Sequence, residues 1–360
     1  MENRKIGIIG CGNISAVYLK NLREQFEGVE VCAVCDTNRV LAERAAETYH
    51  IPYVYDNADE LCKNPEIRTI VVLTTPGTHA ELCKKALLAG KNAYCEKPLG
   101  TDLKAAAEVV QIAREKGLHI GCAPDTYMGA AIQTGHKLIK DGWIGLPIGA
   151  RCNVIMFGPE TWHPNPAFFY KKGAGPVLDW GPYYISALAY LLGPVRRVSS
   201  VAKKTYGIRK MTCKERYGQE IEVEVPTYIS GILEHESGTV STIIITFDAC
   251  SEASLDMEIM GTDGTLVIPN PDTFGAGKMV RYKRLERIHH DLEKNEWFEI
   301  PYLFGNSDNS RGLGLVDMLN AIEEKRLHCA NGDFAYHVLE VMLALEQPGD
   351  GSAVEIQSRF

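Results

Sequence analysis

Hydrophobic and polar positions in the first 122 residues alternate between two periods. Short apolar runs at 6–10, 29–35, 69–73, 92–95 and 119–122 have the length and continuity of parallel strands buried on both faces. Between them, helix-period patterns occupy about 15–25, 39–48, 79–88 and 103–116. Asn38 and Asp102 stand where N-caps belong, and Gly117 where a C-cap glycine belongs. Repeated strand–helix–strand units predict an α/β Rossmann domain with a doubly wound parallel sheet. Beyond Ala123-Pro124 the grammar changes. A helix at about 130–140 leads into longer alternating strands at 148–157, 228–235, 239–247, 255–260 and 265–268, with hairpin signals at Glu236-Ser237-Gly238 and Gly261-Thr262-Asp263-Gly264. Helix patterns at about 313–324 and 333–345 follow. The expectation is two domains: residues 1–123 for nucleotide, and residues 124–360 as an α+β domain with a large, mainly antiparallel open sheet, the terminal helices packing back near the interface.

Composition narrows the function classes. The 360 residues carry 38 Lys and Arg against 46 Asp and Glu, a formal net charge of -8 without a basic run. Nucleic acid is therefore a poor expected partner, and so is an anionic membrane surface. No apolar run approaches the ~20 residues of a membrane span, and the first strand pattern begins by residue 6, so the expected location is the cytoplasm. Eleven cysteines are scattered through apolar segments as buried small hydrophobes would be. Cys32 and Cys35 lie three apart on a strand and point to opposite faces, which argues against a shared metal. The His289-His290 pair and the other histidines lack metal spacing, so no catalytic metal is expected.

The first strand runs into Gly10-Cys11-Gly12-Asn13-Ile14-Ser15, a variant of the dinucleotide fingerprint with Ser at its third small position. Gly10 suits the tight turn, and Gly12 lets the backbone of Gly12, Asn13 and Ile14 approach a pyrophosphate at the helix start. Asp36, 24 positions beyond Gly12, ends the second strand where a carboxylate binds the adenosine ribose. A carboxylate 4 Å from a 2′-phosphate would be repelled by about 4 kcal/mol per unit charge at an effective dielectric near 20. The expected cofactor is NAD rather than NADP. Arg39 could offset such a phosphate, but it reads as a solvated helix residue.

Two further loops follow strands of the same sheet. Thr74-Thr75-Pro76-Gly77-Thr78-His79 follows the run at 69–73, and Cys95-Glu96-Lys97-Pro98-Leu99-Gly100 follows the run at 92–95. Ligands bind beyond the carboxyl ends of such strands, so Thr74, Thr75, Pro76, His79, Glu96 and Lys97 are candidate cofactor contacts. These loops, the phosphate loop, Asp36 and a later stretch from Gly173 through Asp179-Trp180-Gly181-Pro182-Tyr183-Tyr184 together resemble the Gfo/Idh/MocA oxidoreductases, the glucose–fructose oxidoreductase and inositol dehydrogenase family. The resemblance covers essentially the whole chain. It implies that Lys97 lies near both nicotinamide and substrate, with a cis bond to Pro98, and that the second domain supplies substrate contacts and a homo-oligomer interface through its sheet.

Many members of that family carry Asp-x-x-x-His on a helix entering the active site; here Tyr183 stands where the His would be. Positions four apart share a helix face, so a Tyr hydroxyl can replace the imidazole. Among relatives this resembles the branch of glucose–fructose oxidoreductase and of sugar and diol dehydrogenases. An ordinary tyrosine titrates near pH 10, and a neighbouring Lys97 cation would lower that value. The roles this implies are Tyr183 as general acid/base, Lys97 as its electrostatic partner, and Asp179 as the group that orients Lys97 or holds a substrate hydroxyl. Tyr184 is a rival, about 100° round the helix.

The stretch from Phe157 to Tyr170 is rich in aromatics, Pro and polar groups. Trp162 offers a flat face for a sugar, and His163 and Asn165 offer polar groups for its hydroxyls. Such a loop could instead pack its own aromatics or meet another subunit. Asp125-Thr126 stands where many relatives have Asn-Arg. Asp125 is a candidate substrate contact, and the missing Arg favours a neutral aldose, polyol or glycoside over an anionic sugar. The leading expectation is hydride transfer between NAD, in one form tightly held, and C1 or a ring secondary hydroxyl such as C3. The alternatives are glycoside hydrolysis through a transient keto-sugar and a non-catalytic sugar or NAD sensor. Titration calorimetry should show NAD bound more tightly than NADP; NADP binding at least tenfold tighter would overturn the role of Asp36.

Overall fold

The computed structural model describes residues 4–251, 255–285, 296–347 and 352–360. His289 and His290 lie outside them. The chain divides into two compact units, one running to Asp125 and taking in Ser310–Leu339, the other comprising Thr126–Asn309 and the residues from Glu340.

In the first unit, β1 (Lys5–Ile9), β2 (Glu30–Cys35), β3 (Tyr53–Tyr55), β4 (Thr69–Val72), β5 (Asn92–Cys95) and β6 (Ile120–Cys122) form a parallel sheet in the order β3-β2-β1-β4-β5-β6. Helices α1 (Asn13–Glu24), α2 (Arg39–Tyr49), α3 (Ala58–Lys63), α4 (Pro76–Leu88) and α5 (Leu103–Lys116) connect them. The strand order reverses between β1 and β4, which puts the Gly10 and Thr74 loops at the switch point where such sheets bind ligands. The expected caps are present. Asn38 accepts from the Val40 N–H, Asp102 from the Ala105 N–H, and Gly117 takes a left-handed φ of 62°. β3 and α3 carry too few residues for periodicity to register. α4 starts three residues before the apolar pattern does, because Pro76 at its first position already has a helical φ.

The segment Ser310–Leu339 was expected with the second domain; its hydrogen bonds place it in the first unit. Asp125 is 1% exposed. Its Oδ2 accepts the N–H groups of Gly312 and Gly314 at 2.8 and 3.0 Å, at the start of the helix Leu313–Glu324. The Cys122 N–H donates to the Ala330 carbonyl at 3.0 Å, and Arg4 reaches Asn320 and Glu323 at 2.8 and 2.7 Å. The apolar pattern predicted that helix, but no local signal shows which core it joins.

The second unit opens with α6 (Ala130–Lys140), β7 (Pro147–Ile155), α7 (Pro176–Leu192) and β8 (Val195–Lys203). β9 (Ile208–Lys210) and β10 (Glu220–Glu222) make a separate two-stranded ribbon. Then follow β11 (Tyr228–His235), β12 (Val240–Thr246), β13 (Met257–Gly261), β14 (Gly264–Ile268), β15 (Val280–Arg284), β16 (Phe298–Ile300) and, near the end, β17 (Ala353–Glu355). The large sheet has the order β16-β15-β14-β13-β7-β12-β11-β8-β17, parallel at β7–β12 and antiparallel elsewhere. On β11, Ile229 and Leu233 are buried while Ser230 and Ile232 are exposed, the alternation of a sheet covered on one face. α6 and α7 pack on the buried side.

Burial pushes the Asp125 carboxyl up to about 6 despite its two backbone donors. The folded chain therefore holds this proton more tightly than the unfolded chain, and the residue's contribution to stability falls as pH rises from about 4 through about 6. In urea unfolding, Asp125→Ala should cost about 2 kcal/mol by orphaning the Gly312 and Gly314 amides. Asp125→Asn should cost less and should lose that pH dependence.

Candidate active site

Each unit carries some of the candidate residues. In the first, Gly10 has φ 102°, and a Cβ there would lie 2.7 Å from the Leu73 backbone, so this turn requires glycine. Gly12 caps α1 without a side-chain bond, and a Cβ on it would meet nothing within 4 Å. Gly12 and Asn13 are exposed and Ile14 half-buried, so the first N–H groups of α1 face open space. Ser15 closes the turn by donating its hydroxyl to the Gly12 carbonyl at 2.6 Å. Asp36 follows β2 and holds this loop: its Oδ2 accepts the Cys11 N–H and its Oδ1 the Asn38 N–H, each at 2.8 Å. Each oxygen keeps a lone pair for further donors. Arg39 pairs on the surface with Glu43 at 2.8 Å.

These features fit a bound dinucleotide: an open helix N-terminus for pyrophosphate, with a carboxylate beside it for ribose hydroxyls. Cys32 and Cys35 are buried, and burial pushes both thiols up to about 11. Among the described residues no group of three His, Cys, Asp or Glu is arranged to hold a metal.

The loops after β4 and β5 are joined by His79, which is fully buried. Its Nδ1 lies 2.8 Å from the Pro98 carbonyl oxygen and its Nε2 3.0 Å from that of Thr74. Each ring nitrogen thus faces a carbonyl oxygen; burial lowers the pKa of the ring, and the single N–H of the neutral imidazole serves one of the two. Thr74 and Thr78 share a hydroxyl hydrogen bond of 2.7 Å, and Thr75 and Pro76 open α4. Lys97 is half-buried and its bond to Pro98 is cis, as expected. Glu96 is 8% exposed; its Oε1 accepts the Tyr18 hydroxyl of α1 at 2.8 Å, and its Oε2 accepts the Lys97 N–H at 3.0 Å. Glu96 therefore ties the backbone of Lys97 to α1. Asp125, expected at the substrate, is buried under the amides of Gly312 and Gly314 because a desolvated carboxylate is held by the nearest donors.

In the second unit α7 is almost wholly buried. Its residues that are not are Asp179, Trp180, Tyr183 and Tyr190. Asp179, Trp180 and Tyr183 are thus partly buried and lie on one face at the N-terminal end of a core helix. Trp180 meets Tyr183 edge-on, ring centroids 6.3 Å apart, and packs against a core of Phe169, Tyr170, Met211, Ile221 and Phe247. Tyr184 has no exposed surface. It donates its hydroxyl to the Leu255 carbonyl at 2.7 Å and lies 3.1 Å from Asn270 Oδ1, and burial drives its pKa far above the usual tyrosine value. A structural anchor of this kind is no rival to Tyr183.

The loop after β7 leaves Trp162 and Asn165 exposed and His163 half-buried. His163 packs edge-on against Trp162, Phe168 and Phe169 at centroid distances of 5.2–5.5 Å. Beneath this loop lies a buried set that sequence reasoning missed, Glu160, Arg209 and Asp248. Its members come from three distant segments, and none carries a local signal.

Comparison with known proteins agrees with this architecture. Residues 4–123 match the family model described as the oxidoreductase family with an NAD-binding Rossmann fold, and residues 132–267 match the GFO/IDH/MocA C-terminal domain. The chain is 28% identical to trans-1,2-dihydrobenzene-1,2-diol dehydrogenase of Macaca fascicularis, over 85% of this chain and 84% of that one. It is 26% identical to inositol 2-dehydrogenase/D-chiro-inositol 3-dehydrogenase of Lacticaseibacillus casei, over 77% and 75%. Its fold matches levoglucosan dehydrogenase in complex with NADH and L-sorbose with a TM-score of 0.82, at 19% identity and covering 99% of each chain. With both halves matched by models of one family, the chain belongs to the Gfo/Idh/MocA oxidoreductases, NAD(P)-dependent dehydrogenases acting on CH–OH groups.

Proposed function

We propose that this protein transfers hydride between nicotinamide and a carbinol carbon of a neutral sugar, polyol or glycoside, at C1 or a ring secondary hydroxyl, with Tyr183 as the general acid/base. The observation that carries this reading is the partly buried face of α7. A helix otherwise committed to the core keeps Asp179 and Tyr183 one turn apart and partly accessible, while the adjacent Tyr184 is fully buried with its hydroxyl on the Leu255 carbonyl. Bound NAD would supply the hydride acceptor. In the oxidative direction the substrate hydroxyl loses its proton to the Tyr183 oxygen, and the Lys97 ammonium steadies the negative charge developing on the carbinol oxygen. Asp179 orients Lys97 or holds a neighbouring hydroxyl. Trp162 stacks on an apolar sugar face, and His163 and Asn165 meet its oxygens.

NAD is the favoured cofactor. Asp36 sits beside the phosphate loop with two backbone donors already stabilising its charge, and Arg39 is engaged by Glu43. A homo-oligomer through the second unit's sheet is supported by the uncovered face, where Val201, Ile232 and Val240 stand exposed. A cytoplasmic location agrees with the absence, among described residues, of any helix long and apolar enough to cross a membrane.

Lys97→Met and Tyr183→Phe should each lower turnover about 10²–10⁴-fold while NAD affinity stays within threefold. Tyr184→Phe should instead keep turnover and lose about 1 kcal/mol of stability. Near-wild-type rates in both Lys97→Met and Tyr183→Phe would overturn the assignment. A screen of aldoses, polyols and glycosides, with products identified by mass spectrometry, tests the substrate class. Keto-sugar or lactone with reduced nicotinamide supports the proposal, whereas free sugar released from glycosides without net NADH indicates hydrolysis.

A further inference from the structure

An elaborate buried charge arrangement in the second unit lies outside the residues assigned to chemistry. Arg209 on β9 is 8% exposed, and its guanidinium is enclosed by Glu160 and Asp248, which are also buried. Nε donates to Glu160 Oε1 at 2.9 Å, Nη1 to Asp248 Oδ1 at 2.7 Å, and Nη2 to the Phe247 carbonyl oxygen at 3.0 Å and to Glu160 Oε1. Tyr170 donates its hydroxyl to the other Glu160 oxygen, and Thr227 donates to Asp248 Oδ2 at 2.7 Å. Desolvating three charges is only roughly repaid by their attraction, and well-packed apolar residues often hold a fold as well. Such a set adds geometric definition: guanidinium and carboxylates admit few arrangements.

The segment so defined carries Trp162 and His163. Glu160 belongs to the turn Pro159–Thr161 immediately before them. Its side chain is held by Arg209 and Tyr170, and its carbonyl oxygen accepts the N–H groups of Thr212 and Cys213 at 3.0 and 2.8 Å. The Trp162 and His163 N–H groups then donate to the Pro159 carbonyl at 3.2 and 2.8 Å. Further on, the Asn165 N–H donates to His163 Nδ1 at 3.0 Å. A ring nitrogen that accepts carries no proton, so the neutral imidazole bears its proton on Nε2. Trp162 remains 61% exposed beside it, ring centroids 5.3 Å apart. The loop therefore presents a flat apolar face next to one N–H donor, two residues downstream of the clamp.

We propose that Arg209 is a positioning residue for substrate recognition. Through Glu160 it fixes Trp162 and His163 so that a saturated sugar or cyclitol ring lays its apolar face on the indole and directs a hydroxyl or carbonyl oxygen to His163 Nε2. The inference rests on the sugar-oxidoreductase reading above and adds residues that touch no substrate.

The test uses the full chain with NAD and three probes, D-glucose, myo-inositol and methyl β-D-glucoside, followed by steady-state kinetics and by saturation-transfer NMR. Arg209→Met is compared with Arg209→Lys, and with the triple variant E160M/R209M/D248N, which removes all three charges together should the single variant unfold. The folded clamp variants should raise KM about tenfold with kcat within twofold, Arg209→Lys should fall between them and the wild type, and amide exchange over residues 159–165 should accelerate at least tenfold. Trp162→Ala tests the parent reading separately by raising KM. Raised KM in Trp162→Ala with wild-type KM and exchange in a folded clamp variant would overturn the positioning role alone. Unchanged KM in Trp162→Ala, or no probe bound by the wild type, would overturn the sugar-stacking reading and this inference with it.

Discussion

A polar group withdrawn from water must find a partner, and in this protein that requirement decides which side chains can meet a ligand. Glu96 is the clearest case. Its carboxylate is buried where the fifth strand ends, and it takes a hydroxyl from the phosphate-loop helix and the amide of its own neighbour, Lys97. The backbone of Lys97 is therefore tied through Glu96 to the same helix whose N-terminus is shaped for pyrophosphate. His79 lies between the two loops, its ring nitrogens facing the Thr74 and Pro98 carbonyl oxygens and its one N–H serving one of them. Binding surface and lysine are parts of one hydrogen-bonded frame within the first unit.

The second unit applies the same rule on a larger scale. Tyr184 and Tyr183 are adjacent in sequence and chemically identical, yet the first is sealed in the core with its hydroxyl on the Leu255 carbonyl and the second is only partly buried. Arg209, Glu160 and Asp248 satisfy one another beneath the exposed aromatic loop.

Much of the fold was legible because its signals are local. Parallel strands buried on both faces leave continuous apolar runs, caps leave Asn38, Asp102 and Gly117, and the turn at Gly10 needs a glycine for steric reasons. Short elements such as β3 and α3 escaped, since three to six residues carry little periodicity. The candidate site residues divide along the same line. Spacing singles out Gly12 and Asp36, whereas the burial of His79 and Asp125 cannot be seen in one dimension.

What the sequence by itself determined is therefore the grammar: a nucleotide-binding α/β half, a sheet-rich half, and the short list of residues with the chemistry for hydride and proton transfer. Tertiary structure alone decided which of them are consumed. Asp125 became the anchor of a helix almost 190 residues away, and Arg209 the clamp of a loop some fifty residues before it. Such partnerships depend on which groups the folded chain brings within hydrogen-bond distance after water is excluded, and sequence separation carries no record of that.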